Sequence, residues 1–120
     1  MLNRLTALSF ERSGGFVALG HPPAGEVAIT ASGATLRSEA YPAGRPLTST
    51  EQAILASLHP ASLRAWTPPD NLRDALTDTV ALHFQAGPPV TLTFTDPPGP
   101  VPPGAQALAA WIRGEVHAIQ

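Results

Sequence analysis

A chain of 120 residues with 43% hydrophobic content and a formal charge of −2 fits a single domain, residues 1–120, that buries roughly 65% of its unfolded surface. It contains no cysteine, which excludes disulfides, thiolate nucleophiles and thiolate metal ligands. All seven basic residues are arginines, scattered singly, so a surface that tracks phosphates and binds nucleic acid is not expected.

The N-terminal stretch "MLNRLTALSF" interrupts its apolar residues with Arg4, and no part of the chain has the apolar length of a membrane span. The expectation is a cytoplasmic protein without membrane contact, with leaderless export left open. Ten of the fourteen prolines form five Pro-Pro pairs, at 22–23, 68–69, 88–89, 97–98 and 102–103. Each pair falls between periodic segments, so the pairs read as punctuation.

The first predicted strand covers residues 4–11, with Leu8 and Phe10 on one face and Ser9 and Glu11 on the other. "RSGG" and "GHPPAG" then bracket a loop over residues 12–25. "EVAIT" is a second strand with Val27 and Ile29 on one side. "ASG" has the length of a hairpin connection, and "ATLRSEAY" continues as a third strand with Leu36 inward. The period then changes. In "LTSTEQAILASLHP", Thr48 precedes Glu51 by three residues, the spacing of a capping box. Ile54, Leu55 and Leu58 recur at helical intervals until Pro60. Leu63 and Trp66 suggest a short helical turn beyond it.

"TVALHFQ" and "VTLTFT", joined through "AGPP", form a predicted antiparallel hairpin. Val80, Leu82, Phe84, Val90, Leu92 and Phe94 lie on its apolar face, and His83 and the threonines on the other. After Pro102 and Pro103, a helix carries Ala105, Leu108, Ala109, Ile112, Val116 and Ile119 as its apolar stripe, with Trp111 at the edge. The order β-β-β-α-β-β-α predicts an α+β fold of two layers. A mostly antiparallel five-stranded sheet packs one face under two helices.

Little in the chain is arranged for chemistry. The histidines at 21, 59, 83 and 117 have no ligand spacing. Asp70, Asp74 and Asp78 recur every four residues, but in a segment too short for a long helix, so they read as an acidic loop with Asp70 as an N-cap. No Gly-x-Ser-x-Gly elbow or phosphate loop is present. Hence no catalytic residue, cofactor or metal is expected.

Three motifs in order carry a resemblance: the strand ending in "FERSGGF", the apolar helix "TEQAILASL", and "TLTFTDPPGPVPPGAQALAAWI", which runs strand, Asp, proline-rich turn and helix. Together they resemble the emfourin family, small single-domain bacterial proteins that inhibit thermolysin-like zinc metallopeptidases. The chain departs from that pattern at "RDALTDTVALHF", which lacks the tyrosine usual before the penultimate strand.

The resemblance implies a non-catalytic inhibitor without a cofactor, whose partner is a thermolysin-like metallopeptidase. Such enzymes accept bulky apolar side chains beside the scissile bond. The partner-binding residues expected on this basis are Arg12, Ser13, Gly14, Gly15, Phe16, Val17 and Leu19, in a loop that Pro22 and Pro23 restrict. Phe16 is either an exposed anchor after the twin glycines or the first core residue beyond a turn. An interaction module that acts through a homodimer or a partner protein is the alternative, so the oligomeric expectation is a monomer or a weak homodimer.

Overall fold

Alternation of apolar and polar residues sets the longer strands, and their core side chains lie on one face of one sheet. The computed structural model describes residues 4–13, 24–64, 66, 76–96, 100–102 and 104–119. Its elements are β1 (Leu5–Ser13), β2 (Ala24–Thr30), β3 (Gly33–Ser38), β4 (Arg45–Pro46), α1 (Ser49–Ala56), α2 (Pro60–Arg64), β5 (Leu76–Phe84), β6 (Val90–Asp96) and α3 (Gln106–Ile119). The sheet order is β4-β3-β2-β1-β5-β6, with antiparallel neighbours throughout. The fold is therefore α+β with two layers, as the periodicities imply.

Two elements exceed the expected count. β4 is a two-residue strand that pairs Arg45 with Leu36 and Pro46 with Thr35. It has no period-two signature, and only its place beside β3 makes it a strand. α2 is the helical turn expected around Leu63, starting at Pro60, where a missing N–H costs nothing.

The register aligns Leu8 with Val27 and Leu82, Phe10 with Gly25 and Val80, and Val80 with Leu92. These side chains, together with Leu36, Phe94 and the α3 residues Leu108, Ile112 and Val116, are almost completely buried in one core. Leu5 joins them despite its odd number. A bulge between Leu5 and Ala7 sets two residues of β1 against one of β5, which returns Leu5 to the core face opposite Phe84. Phe10 occupies the space above Gly25, where an added Cβ would lie 2.5 Å from the ring.

α1 starts with the predicted capping box. The Glu51 N–H donates to Thr48 Oγ1 at 3.2 Å, and the Thr48 N–H donates to Glu51 Oε1 at 2.9 Å. α3 continues through Gly114, which is exposed, because the stripe on either side of it buries Ile112 and Val116. Among the described residues no helix is long and apolar enough to cross a membrane.

Candidate functional site

The end of the sheet where β1 stops and β2 begins holds the connection that the sequence singles out. In β1 the period-two pattern runs past Glu11, so Arg12 shares the face of Leu8 and Phe10. Its side chain is 1% exposed and meets Asp78, 2% exposed, across the β1–β5 ladder. Arg12 Nε donates to Asp78 Oδ1 at 2.7 Å, and Nη2 donates to Oδ2 at 3.0 Å. This planar two-bond geometry satisfies a charge that burial would otherwise make very costly.

Two expectations are corrected here. Arg12 belongs to β1 rather than to the loop, and its side chain is buried against Asp78. Asp78 belongs to β5 rather than to an acidic loop, since β5 begins two residues earlier, at Leu76. Ser13 is the last residue of β1, in register with Thr77. Gly14, Gly15, Phe16, Val17 and Leu19 lie outside the described residues, as do His21, Asp70 and Asp74.

Topology gives this end of the sheet a property that no single segment reveals. The pairs Glu11–Ala24, Ser13–Thr77 and Leu76–Asp96 place the end of β1, the start of β2, the start of β5 and the end of β6 side by side. The segments that hold Pro22-Pro23, Pro68-Pro69 and Pro97-Pro98 are therefore all joined to strands at one end. Pro88 and Pro89, in the β5–β6 hairpin, sit at the other. The Arg12–Asp78 pair lies under the shared end and ties its two central strands together.

A second polar cluster joins β4, α1 and α3. Arg45 Nη1 and Nη2 donate to Glu51 Oε1 and Oε2 at 2.8 and 2.7 Å, and Nη2 also donates to Glu115 Oε1 at 2.8 Å. Trp111 Nε1–H donates to Glu51 Oε2 at 2.6 Å, and the Arg45 guanidinium lies 4.9 Å from the Tyr41 ring centre. The hydrogen bonds from Arg45 hold the Glu51 carboxyl down at about 2, against an opposing push from burial and with help from the Thr48 and Trp111 N–H groups. Glu51 and Glu115 in turn raise Arg45, chiefly through the hydrogen bond with Glu51 and against burial. With both Glu51 oxygens and both Arg45 terminal nitrogens engaged, the cluster acts as a clamp between the layers. The sequence shows its capping box only, because nothing in local spacing brings Glu115 and Trp111 to Arg45.

The remaining titratable side chains do not converge. His83 stands exposed on the outer sheet face, opposite in sense to Asp78 on the core face of the same strand. His59 is exposed just after α1, and His117 is exposed in the last turn of α3. Among the described residues no three His, Asp or Glu side chains group as metal ligands. The outer face carries Ser9, Glu11, Glu26, Arg37, Thr79 and Ala81 around a shallow hollow of about 590 Å³, with Glu26 and Arg37 in register as neighbours of opposite charge.

The class defined so far is an antiparallel α+β domain with a charge-clamped loop end. No protein-family model, curated protein or solved structure matches the chain. The likeness to emfourins thus rests on the three motifs quoted above.

Proposed function

We propose that this chain is a non-catalytic inhibitor of a thermolysin-like zinc metallopeptidase and that segment 14–23 enters the enzyme's cleft. The observation that carries this reading is the root of the segment. Its two ends continue neighbouring antiparallel strands, paired at Glu11 and Ala24, and the strand that launches it is bonded to β5 by the buried Arg12–Asp78 pair one residue before it ends. A cleft-binding segment gains affinity when its ends are fixed before binding, because each side chain ordered on association costs about 0.5–1.5 kcal/mol. Glycine as a residue type tolerates positive φ, and Phe16 is an apolar side chain of the kind the enzyme class accepts. The role of Arg12 in this reading is to hold the root, with no contact to the enzyme.

Inhibition of a thermolysin-type peptidase, measured with the parent chain and with Phe16→Ala, tests the proposal. The expected result is inhibition by the parent and at least a tenfold weaker effect for the variant, about 1.4 kcal/mol. Full peptidase activity in the presence of excess parent chain would refute the reading. Inhibition that Phe16→Ala leaves unchanged would remove Phe16 as the anchor.

A second reading, an interaction module that forms a homodimer, is favoured by one feature. β6 is a seven-residue strand at the border of the sheet, and among the described residues it pairs on one side only.

A further inference from the structure

We infer that β6 is a self-association edge, on which a second copy of this chain adds its own β6 antiparallel across a two-fold axis at Thr93. The inference rests on the homodimer reading above and is independent of the inhibitor reading.

The two borders of the sheet are built differently. At one, β4 is two residues long and consists of Arg45, engaged with two carboxylates, and Pro46, which has no N–H to offer. Shortness, charge and proline are the devices that keep a border from pairing. At the other, β6 reads "VTLTFTD". Its first six residues are β-branched, aromatic or leucine, with no charge, glycine or proline among them. A strand of seven residues extends about 23 Å, enough for a full ladder. Among the described residues no strand pairs with this border, and its length contrasts with the guarded border opposite, which points to a use for it.

The sequence of β6 also says what fits. An antiparallel copy centred on Thr93 sets Thr93 against its counterpart, Thr91 against Thr95, and Leu92 against Phe94. Threonine meets threonine on the outer face, where Thr91 is exposed and Thr93 half-buried, with Thr95 already buried beside them. Cross-strand pairs of threonines, and of an aromatic with an aliphatic side chain, are favourable neighbours. No like charges are opposed, because the only carboxylate, Asp96, falls at opposite ends of the two strands. The strand is thus uncharged from Val90 to Thr95 and self-complementary about its own midpoint, the condition for an isologous contact. The product is one continuous sheet across both copies. Because the strands run antiparallel, the ends that bear segment 14–23 point away from each other, and both remain open to a partner.

Light-scattering mass over a range of concentrations, combined with charge substitutions at Thr93, tests the assignment. The parent chain is expected at twice the 12.5 kDa chain mass. Thr93→Lys and Thr93→Glu each oppose like charges on the axis and are expected to raise the dissociation constant about tenfold or more, with circular dichroism unchanged. An equimolar mixture of the two variants is expected to restore the dimer, a result that lost folding cannot imitate. A parent that keeps the single-chain mass throughout overturns the proposal together with the homodimer reading. A dimer indifferent to all substitutions at Thr93 overturns the β6 assignment alone. A monomer whose β6 instead binds an extended peptide overturns the second copy as its occupant.

Discussion

Replacing Asp78 by alanine leaves the Arg12 guanidinium buried with its main counter-charge gone. Both side chains are at most 2% exposed, and the two bonds between them measure 2.7 and 3.0 Å, so water has little room to take the place of the carboxylate. Breaking a buried pair from one side costs about 3–5 kcal/mol, most of it the stranded charge. Against a stability of about 5–15 kcal/mol for a domain of this kind, that is a large share. At about 4 °C per kcal/mol for a chain of this length, the melting temperature falls by about 12–20 °C. The companion variant, Arg12→Met with Asp78→Leu, removes both charges and fills the space with apolar groups. Its expected melting temperature lies within about 5 °C of the parent, because buried pairs and apolar replacements of similar volume are close in energy. Thermal unfolding followed by circular dichroism for the parent, Arg12→Met, Asp78→Leu and the double variant closes a cycle that isolates the coupling. An Asp78→Ala protein that melts within about 2 °C of the parent would refute the reasoning, since the guanidinium would then be solvated without its partner.

The Arg45–Glu51 clamp predicts a pH dependence with a definite sign. Glu51 is lowered from 4.5 to about 2 in the folded chain, so its contribution is fully present above about pH 4.5 and is lost as the pH falls through about 2. The shift sets a ceiling of about 3 kcal/mol, which solvent around the partly exposed Arg45 reduces to about 1–2 kcal/mol. Denaturant melts of the parent and Glu51→Gln should differ by that amount at pH 6 and converge near pH 2; a gap that stays constant across this range contradicts the assignment. At Gly25, alanine would bring a Cβ to 2.5 Å from the tip of Phe10 and 3.2 Å from Ser38 Cβ. With Phe10 2% exposed the ring has nowhere to retreat, and Gly25→Ala is expected to cost about 1–3 kcal/mol in urea unfolding. Restoration of the loss by a second change, Phe10→Leu, would identify the clash as its source.

Local pattern was enough to place most of the elements. Alternation in "TVALHF" and "VTLTFT" specifies which side chains face the core, because a strand alternates faces whatever it pairs with. The capping box at Thr48 and Glu51 and the stripe from Ala105 to Val116 are equally local, and both are found where spacing puts them. The same alternation, carried two residues beyond Leu8 and Phe10 and two residues back from Val80, assigns Arg12 and Asp78 to the apolar face. That signal is present in the chain, but the glycines after Ser13 and the acidic spacing before Val80 disguise it as loop.

Other features have no local signature. β4 exists because β3 offers it a border, and the Arg45–Glu51–Glu115–Trp111 cluster joins residues up to 70 positions apart. The bulge that turns Leu5 inward is a property of the pairing between β1 and β5. That the strand ends leading to three Pro-Pro segments lie side by side follows from strand order, which a single chain read in sequence does not contain. Composition and period thus determined the elements and the faces they bury, since each depends on near neighbours along the chain. The tertiary structure alone decided which charges meet, which strands border the sheet and which strand ends lie side by side, because those depend on pairings between distant strands.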